Sequence, residues 1–254
     1  MNTKFYLKAE GNDDTAYQTA MQFACELSKK DTEIKRVVLL IYTKINTGWF
    51  ERLYGNEMVK KLFSGVRFKD CSPLYKFETT ITYKNAHYGY PQDIVICCGL
   101  DSDDIFKIDE YSSTKYIIAI PWLKKNTDKW IKTWNAKNIL GKSESPDEKF
   151  PEPTAIVKKA MEHLTNHINM FTGIGHPNDN NLAKTYIKVL HKYENELNAD
   201  IVYSYLIREL HWNPRHAKDI EKLINTLNQG SFFKGGEKIG LQNYYKQWKE
   251  ECEK

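Results

Sequence analysis

Val37-Val38-Leu39-Leu40-Ile41-Tyr42 runs for six residues without a charge, and its reading decides the fold. A strand with one wet face alternates apolar and polar side chains. An unbroken aliphatic run is what a strand buried on both faces requires, and such strands belong to parallel sheets covered by crossover helices. Ile94 to Cys98 repeats the pattern. Tyr116 to Ile120 repeats it once more and stops at Pro121, which lacks the N–H of a central ladder, so the last strand is expected there.

The segments between these runs have helical spacing. Upstream, Phe5 to Ala9 reads as the first strand, followed by Glu10-Gly11-Asn12-Asp13-Asp14. Asp13 or Asp14 caps a helix reaching Lys30, with Ala16, Ala20, Phe23, Ala24 and Leu27 on one face. Downstream, a helix is expected from Phe50 to Phe63, halted by Ser64-Gly65. Phe77, Thr79, Ile81 and Tyr83 alternate with polar neighbours and predict a strand, the second arm of a hairpin. A short helix through Ile105, Ile108 and Tyr111 follows Ile94–Cys98, and one carrying Trp130 and Trp134 follows Asp128.

The pattern predicts an α/β domain over residues 1–140, with a Rossmann-like, mainly parallel sheet flanked by helices. Residues 141–153 are rich in Ser, Pro, Lys and Glu and read as a connector. From residue 154 to 254 every periodic signal is helical. Helices are expected over 156–171, 182–190, 200–211, 217–228 and 241–254, with Asp179 and Asn198 or Asp200 as caps and Gly230 as a stop.

Composition narrows the function. The formal charge is +4, and the excess lies in residues 1–140, with 21 Lys and Arg against 17 Asp and Glu, while the remainder balances at 16 each. Neither half has the clustered cationic excess of a nucleic-acid reader, so nucleic acid is not the expected partner. No run reaches the roughly 18 apolar residues of a spanning helix, and residues 1–11 lack the pattern of a secretory signal. No membrane association is expected, and the expected location is cytoplasmic. Cys25, Cys71, Cys97, Cys98 and Cys252 are odd in number and lack CxxC spacing, so they read as buried free thiols in a reducing compartment.

In open α/β sheets ligands sit beyond the carboxyl ends of the strands, where loops feed helix N-termini. Those loops hold Glu10, Gly11 and Asn12, then Thr43 and Lys44 up to Gly48, then Gly99 and Asp101, then Pro121 and Trp122. The glycines admit close backbone approach, and Thr43 and Lys44 can meet a phosphate. Neither GxGxxG nor GxxxxGK[ST] occurs, so no standard dinucleotide or Walker loop is indicated, and no particular cofactor or metal is specified. The expected ligand is a nucleotide or another small anion, and the expected role is binding or regulation.

Glu10-Gly11 and Asp101-Ser102-Asp103 resemble the Glu-Gly and Asp-x-Asp elements of Toprim domains. That resemblance implies, as an alternative, Mg²⁺ held for phosphoryl transfer. His163 and His167, four apart on a helix, lack the HExxH glutamate and read as a core-edge pair, and Cys71 has no assignable base. Tyr203–Leu210 and Ala217–Leu227, with Arg215, His216 and Lys218 between or just inside them, form a helix-turn-helix pattern and a second alternative, DNA binding. Asp219 and Glu221 follow at once and counter it.

Pro121-Trp122 with Trp130 and Trp134-Asn135, the segment Asn169-Met-Phe-Thr-Gly-Ile-Gly-His-Pro-Asn-Asp179, and Leu210-His-Trp-Asn-Pro214 together resemble a group of bacterial proteins of unassigned function. The resemblance implies an α/β domain joined to a helical one and a prokaryotic cytoplasmic setting. It implies no activity.

Overall fold

The computed structural model describes residues 3–9, 13–85, 92–141, 151–237 and 239–253. The chain divides into two compact units, residues 1–148 and 149–254. Most of the expected connector, residues 142–150, lies outside the described residues.

The first unit runs β1 (Thr3–Tyr6), α1 (Asp14–Lys30), β2 (Arg36–Ile41), α2 (Gly48–Tyr54), α3 (Asn56–Ser64), β3 (Leu74–Thr79), α4 (Thr80–Asn85), β4 (Asp93–Cys98), α5 (Ser102–Asp109), β5 (Thr114–Ile120), α6 (Asp128–Trp134) and β6 (Lys137–Asn138). The six strands form one sheet in the order β3-β2-β4-β5-β1-β6, and every pairing is parallel. Leu39 lies opposite Ile96 and Ile96 opposite Ile118, so the aliphatic runs stack at the centre.

Alternation along those runs explains why both faces are covered. Val37, Leu39, Ile41, Ile94, Ile96, Ile118 and Ile120 join one core with Ala16, Tyr17 and Ala20 of α1, Phe50 of α2 and Leu62 of α3. Val38, Leu40, Val95, Cys97, Ile117 and Ala119 are equally buried and point to the opposite face, where Tyr83, Ile105, Phe106 and Trp130 of α4, α5 and α6 are also sealed from water. Each large side chain sequestered this way stabilises the fold by about 1.5–3 kcal/mol.

Ion pairs to buried carboxylates help tie the elements together. At the amino edge of the sheet, Arg36 grips the fully buried Asp93 with two bonds (Nε–Oδ1 2.9 Å, Nη2–Oδ2 2.5 Å), and the Tyr83 hydroxyl donates to Asp93 Oδ2 at 3.2 Å. Lys4 of β1 meets Asp109 of α5 at 3.1 Å, with both side chains buried; Trp130 Nε1 donates to Asp109 Oδ2 at 2.7 Å, and the Lys4 ammonium lies 4.1 Å from the centre of the Trp134 ring.

Several local expectations are corrected. β1 ends at Tyr6 rather than Ala9, although Leu7 still donates to the Ala119 carbonyl. The single helix expected over 50–63 is two, because Gly55 takes φ +78° between α2 and α3. The strand expected through Tyr83 ends at Thr79. There Thr79 Oγ1 accepts from the Thr82 N–H while Thr82 Oγ1 accepts from the Thr79 N–H, and this reciprocal pair starts α4. β3 runs parallel to β2, and an isolated antiparallel bridge between Val66 and Tyr75 is what remains of the expected hairpin. β5 is not the last strand, since Asn135 in the left-handed region ends α6 and returns the chain to lay β6 beside β1.

The cysteine expectation is corrected too: Cys25 of α1 and Cys71 in the loop before β3 form a disulfide, with Cα atoms 5.4 Å apart. The Tyr75 hydroxyl of β3 donates to the Met21 carbonyl of α1 at 3.1 Å, which holds these segments together across 46 residues, and spacing along the chain cannot reveal it. Cys97 and Cys98 are buried thiols, and Cys252 is an exposed one.

The second unit consists of α7 (Ala155–His167), α8 (Pro177–Tyr193), α9 (Ala199–Arg208), α10 (Pro214–Asn228) and α11 (Leu241–Cys252) around Met161, Leu164, Ile187, Leu190, Leu206, Ile220, Ile224 and Trp248. Thr154 caps α7 and Asn198 caps α9, each accepting a first-turn N–H. α8 begins earlier than expected because Pro177 occupies its first turn and His176, not Asp179, is the cap, its Nδ1 accepting from the Asn178 N–H at 3.3 Å. Among the described residues no helix is long and apolar enough to cross a membrane.

Candidate ligand cleft at the carboxyl edge of the sheet

Sheet order fixes where a cleft must open. From β2 the chain moves to β3 at one edge; from β4, next to β2 on its other side, it moves to β5 in the opposite direction. The connections therefore diverge between β2 and β4, leaving a crevice beyond their carboxyl ends. A cleft of about 310 Å³ opens there, lined by Tyr42, Asn46, Trp49, Cys98, Gly99, Trp122 and Asn126.

Each wall has a local cause. After β2, Asn46 Oδ1 accepts from both the N–H and the hydroxyl of Thr43 (3.2 and 2.7 Å), which closes the loop. Buried Thr47 donates to Glu51 Oε1 at 2.9 Å, and α2 then sets Trp49 against Tyr17, with ring centres 5.7 Å apart and nearly parallel. After β4, Gly99 takes φ +72° and donates to the Ile120 carbonyl at 2.8 Å. Asp101 caps α5 by accepting from the Asp104 N–H at 3.1 Å, while its own N–H donates to the Tyr42 hydroxyl at 3.3 Å. After β5, Trp122 projects with 44% of its surface exposed, its ring 5.5 Å from that of Trp49. The following turn is held by Ser102, whose hydroxyl donates to the Asn126 carbonyl at 2.9 Å.

Among the described residues the lining is electrostatically neutral. Burial, then the hydrogen bond to Asp104, pushes the Tyr42 hydroxyl far above its usual range, so it stays protonated. Burial does the same to the Cys98 and Cys97 thiols, which removes the thiolate a nucleophile needs. The flanking loops after β2 and β5 carry the exposed cations Lys44, Lys124 and Lys125. Asp101, Asp103 and Asp104 lie on the α5 side, where Asp104 pairs with Lys107 at 2.7 Å.

Of the residues expected to bind ligand, Gly99 and Trp122 line the cleft. Thr43 shapes it through Asn46, Lys44 lies on the same loop with its ammonium 5.9 Å from the Phe63 ring, and Asp101 stands beside it as a cap bonded to Tyr42. Glu10, Gly11 and Asn12 lie outside the described residues, and with Glu10 goes one half of the Toprim-like pair. Tyr42, Asn46, Trp49, Cys98 and Asn126 were missed. Tyr42 and Cys98 sit at strand ends, while Asn46, Trp49 and Asn126 lie about five to eight residues beyond one and join the cleft only once the strands are ordered in the sheet.

The remaining candidates have structural partners. His163 Nε2 lies 2.7 Å from Glu251 Oε2, and His167 Nδ1 donates to the His163 carbonyl at 2.7 Å. Among the described residues no group of three His, Cys, Asp or Glu side chains is placed to hold a metal. Arg215, His216 and Lys218 sit in the first turns of α10, whose Ala217, Ile220 and Ile224 are buried, and the His216 ring packs against Gly173. A larger, open concavity of about 670 Å³ at the start of α8 is lined by Asn169, Thr172, Gly175, His176, Pro177 and Asp179. Its polar groups serve turns and caps: Asn169 Oδ1 accepts from the Phe171 N–H, and Asp179 Oδ2 from the Asn169 N–H.

Residues 153–249, most of the second unit, match a family described as a domain of unknown function, DUF1889. No curated protein matches the chain. No solved structure does either.

Proposed function

We propose that the chain is a binding module for a nucleotide or similarly sized small anion, seated in the cleft between the carboxyl ends of β2 and β4. The observation that carries this is the convergence of three loops, after β2, β4 and β5, on one crevice at the point where the sheet connections diverge. Lys44, Lys124 and Lys125 on two of those loops supply the charge for the anionic part, while the neutral lining receives the rest. The reading is of binding rather than turnover, because the cleft walls offer aromatic rings, amides, a glycine and a protonated thiol rather than a base paired with a nucleophile.

Thermal denaturation of the full chain across a panel of nucleoside mono-, di- and triphosphates and pyrophosphate tests it. A ligand that binds the folded form alone raises stability by about 2.7 kcal/mol at a hundred times its Kd, and Lys44→Ala with Lys124→Ala and Lys125→Ala should weaken the effect. A flat melting temperature across the panel removes the reading.

A further inference from the structure

The Trp49 and Trp122 rings are not parallel: their planes are inclined by 47° with centres 5.5 Å apart. They are therefore not stacked face to face, and Trp122 retains a large exposed surface. Trp49 is fixed from behind by Tyr17, against which it stacks at 20°, and by Phe50. Trp122 lies beside Gly99, where an added Cβ would meet its ring at an ordinary contact distance of 3.7 Å, and 44% of its surface is exposed. One ring is packed from behind and the other is largely open to solvent.

A phosphate or a simple carboxylate makes no use of an open aromatic face, whereas a flat heteroaromatic ring packs against one.

We infer that Trp49 and Trp122 form an aromatic clamp for a nucleobase, with Trp122 swinging outward to admit the ring against the face of Trp49 that Tyr17 leaves open. This rests on the binding reading above and names the part of the ligand that the cleft recognises. In the bound state the base lies against Trp49, Trp122 closes over its outer face, and the phosphates extend toward the lysine-bearing loops.

Calorimetric titration of the full chain with adenosine, guanosine, AMP, GMP, ribose 5-phosphate and pyrophosphate separates the clamp from the anion site. The clamp predicts that at least one nucleoside binds without any phosphate. Stacking of a base on an aromatic side chain is lost on truncation at about tenfold or more in Kd. Trp122→Ala should therefore weaken that nucleoside at least tenfold, Trp122→Phe should restore most of the loss, and Trp49→Phe, which keeps a ring to stack on, should retain most of the affinity. Trp122 is half exposed, so its variants are expected to fold, and circular dichroism with melting checks this. If ribose 5-phosphate or pyrophosphate binds while no nucleoside does, the clamp is wrong and the anion reading stands. The same holds if nucleotide affinity is indifferent to Trp122→Ala. If nothing binds, both fall.

Discussion

Trp122 stands 5.5 Å from Trp49, ring centre to ring centre, across the carboxyl ends of β2, β4 and β5. The two residues are 73 positions apart in the chain, and sheet order alone brings them together. Gly99 sits beside Trp122 at φ +72°, a conformation that costs an L side chain about 1–2 kcal/mol.

Gly99→Ala is accordingly expected to destabilise the fold by about 1–2 kcal/mol, since the added methyl meets the Trp122 ring only at ordinary contact distance and the backbone carries the cost. Gly99→Val adds branches on the Trp122 side and should also shift the tryptophan emission. Urea denaturation and fluorescence spectra measure the two effects separately.

Thiol counting checks the disulfide. In the native, unreduced protein a thiol reagent should find Cys252 alone, because Cys97 and Cys98 are buried and Cys25 is joined to Cys71. Denaturation should raise the count to three thiols and added reductant to five, matching the five cysteines of the chain. Reduction, or Cys71→Ser, should lower stability by roughly 2–4 kcal/mol through the freed loop of the unfolded state. Five reactive thiols on denaturation without reductant, in place of three, would show the bond is not formed.

The Lys4–Asp109 pair gives a pH dependence of defined sign. Burial raises the Asp109 carboxyl from 3.8 to about 6, against the lowering effects of Lys4 and the Trp130 N–H. The folded state therefore binds this proton more tightly than the unfolded state. The contribution of Asp109 is greatest below about pH 4 and falls by roughly 3 kcal/mol as pH rises through 6. Lys4→Met strands a buried carboxylate and should cost about 3–5 kcal/mol at pH 8. The loss should shrink at pH 5, where Asp109 is protonated, and denaturant melts at the two pH values test it. An equal loss at both would refute the assignment.

In the helical unit, Gly173 holds φ +56° and a Cβ there would lie 2.5 Å from His216 Cγ. Gly173→Ala should destabilise by about 2–4 kcal/mol, combining backbone strain with overpacking. Adding His216→Ala should recover the steric part, and a double-mutant cycle by denaturation reads the coupling.

The sheet was legible because Val37–Ile41 and Ile94–Cys98 are apolar on both faces, a pattern that fits a covered parallel strand. The helical second unit was legible from its 3.6-residue spacing. What failed was local. Gly55 broke a helix whose apolar spacing ran on through it, and the Thr79–Thr82 hydroxyl exchange turned a strand-like alternation into a helix start. At the site, Gly99 and Trp122 were found because they follow strand ends directly. Trp49 was not, because its place in the cleft depends on which strands are neighbours, and no periodicity encodes strand order. Cys25 and Cys71 escaped for the same reason.

The most direct test of the account follows the indole N–H signals of the six tryptophans by NMR while a nucleoside monophosphate is added to the full chain. Saturable shifts are expected for Trp49 and Trp122, with Trp130, Trp134, Trp212 and Trp248 unmoved. Unchanged Trp49 and Trp122 signals at millimolar ligand, or shifts confined to Trp212 and Trp248 of the helical unit, would contradict it.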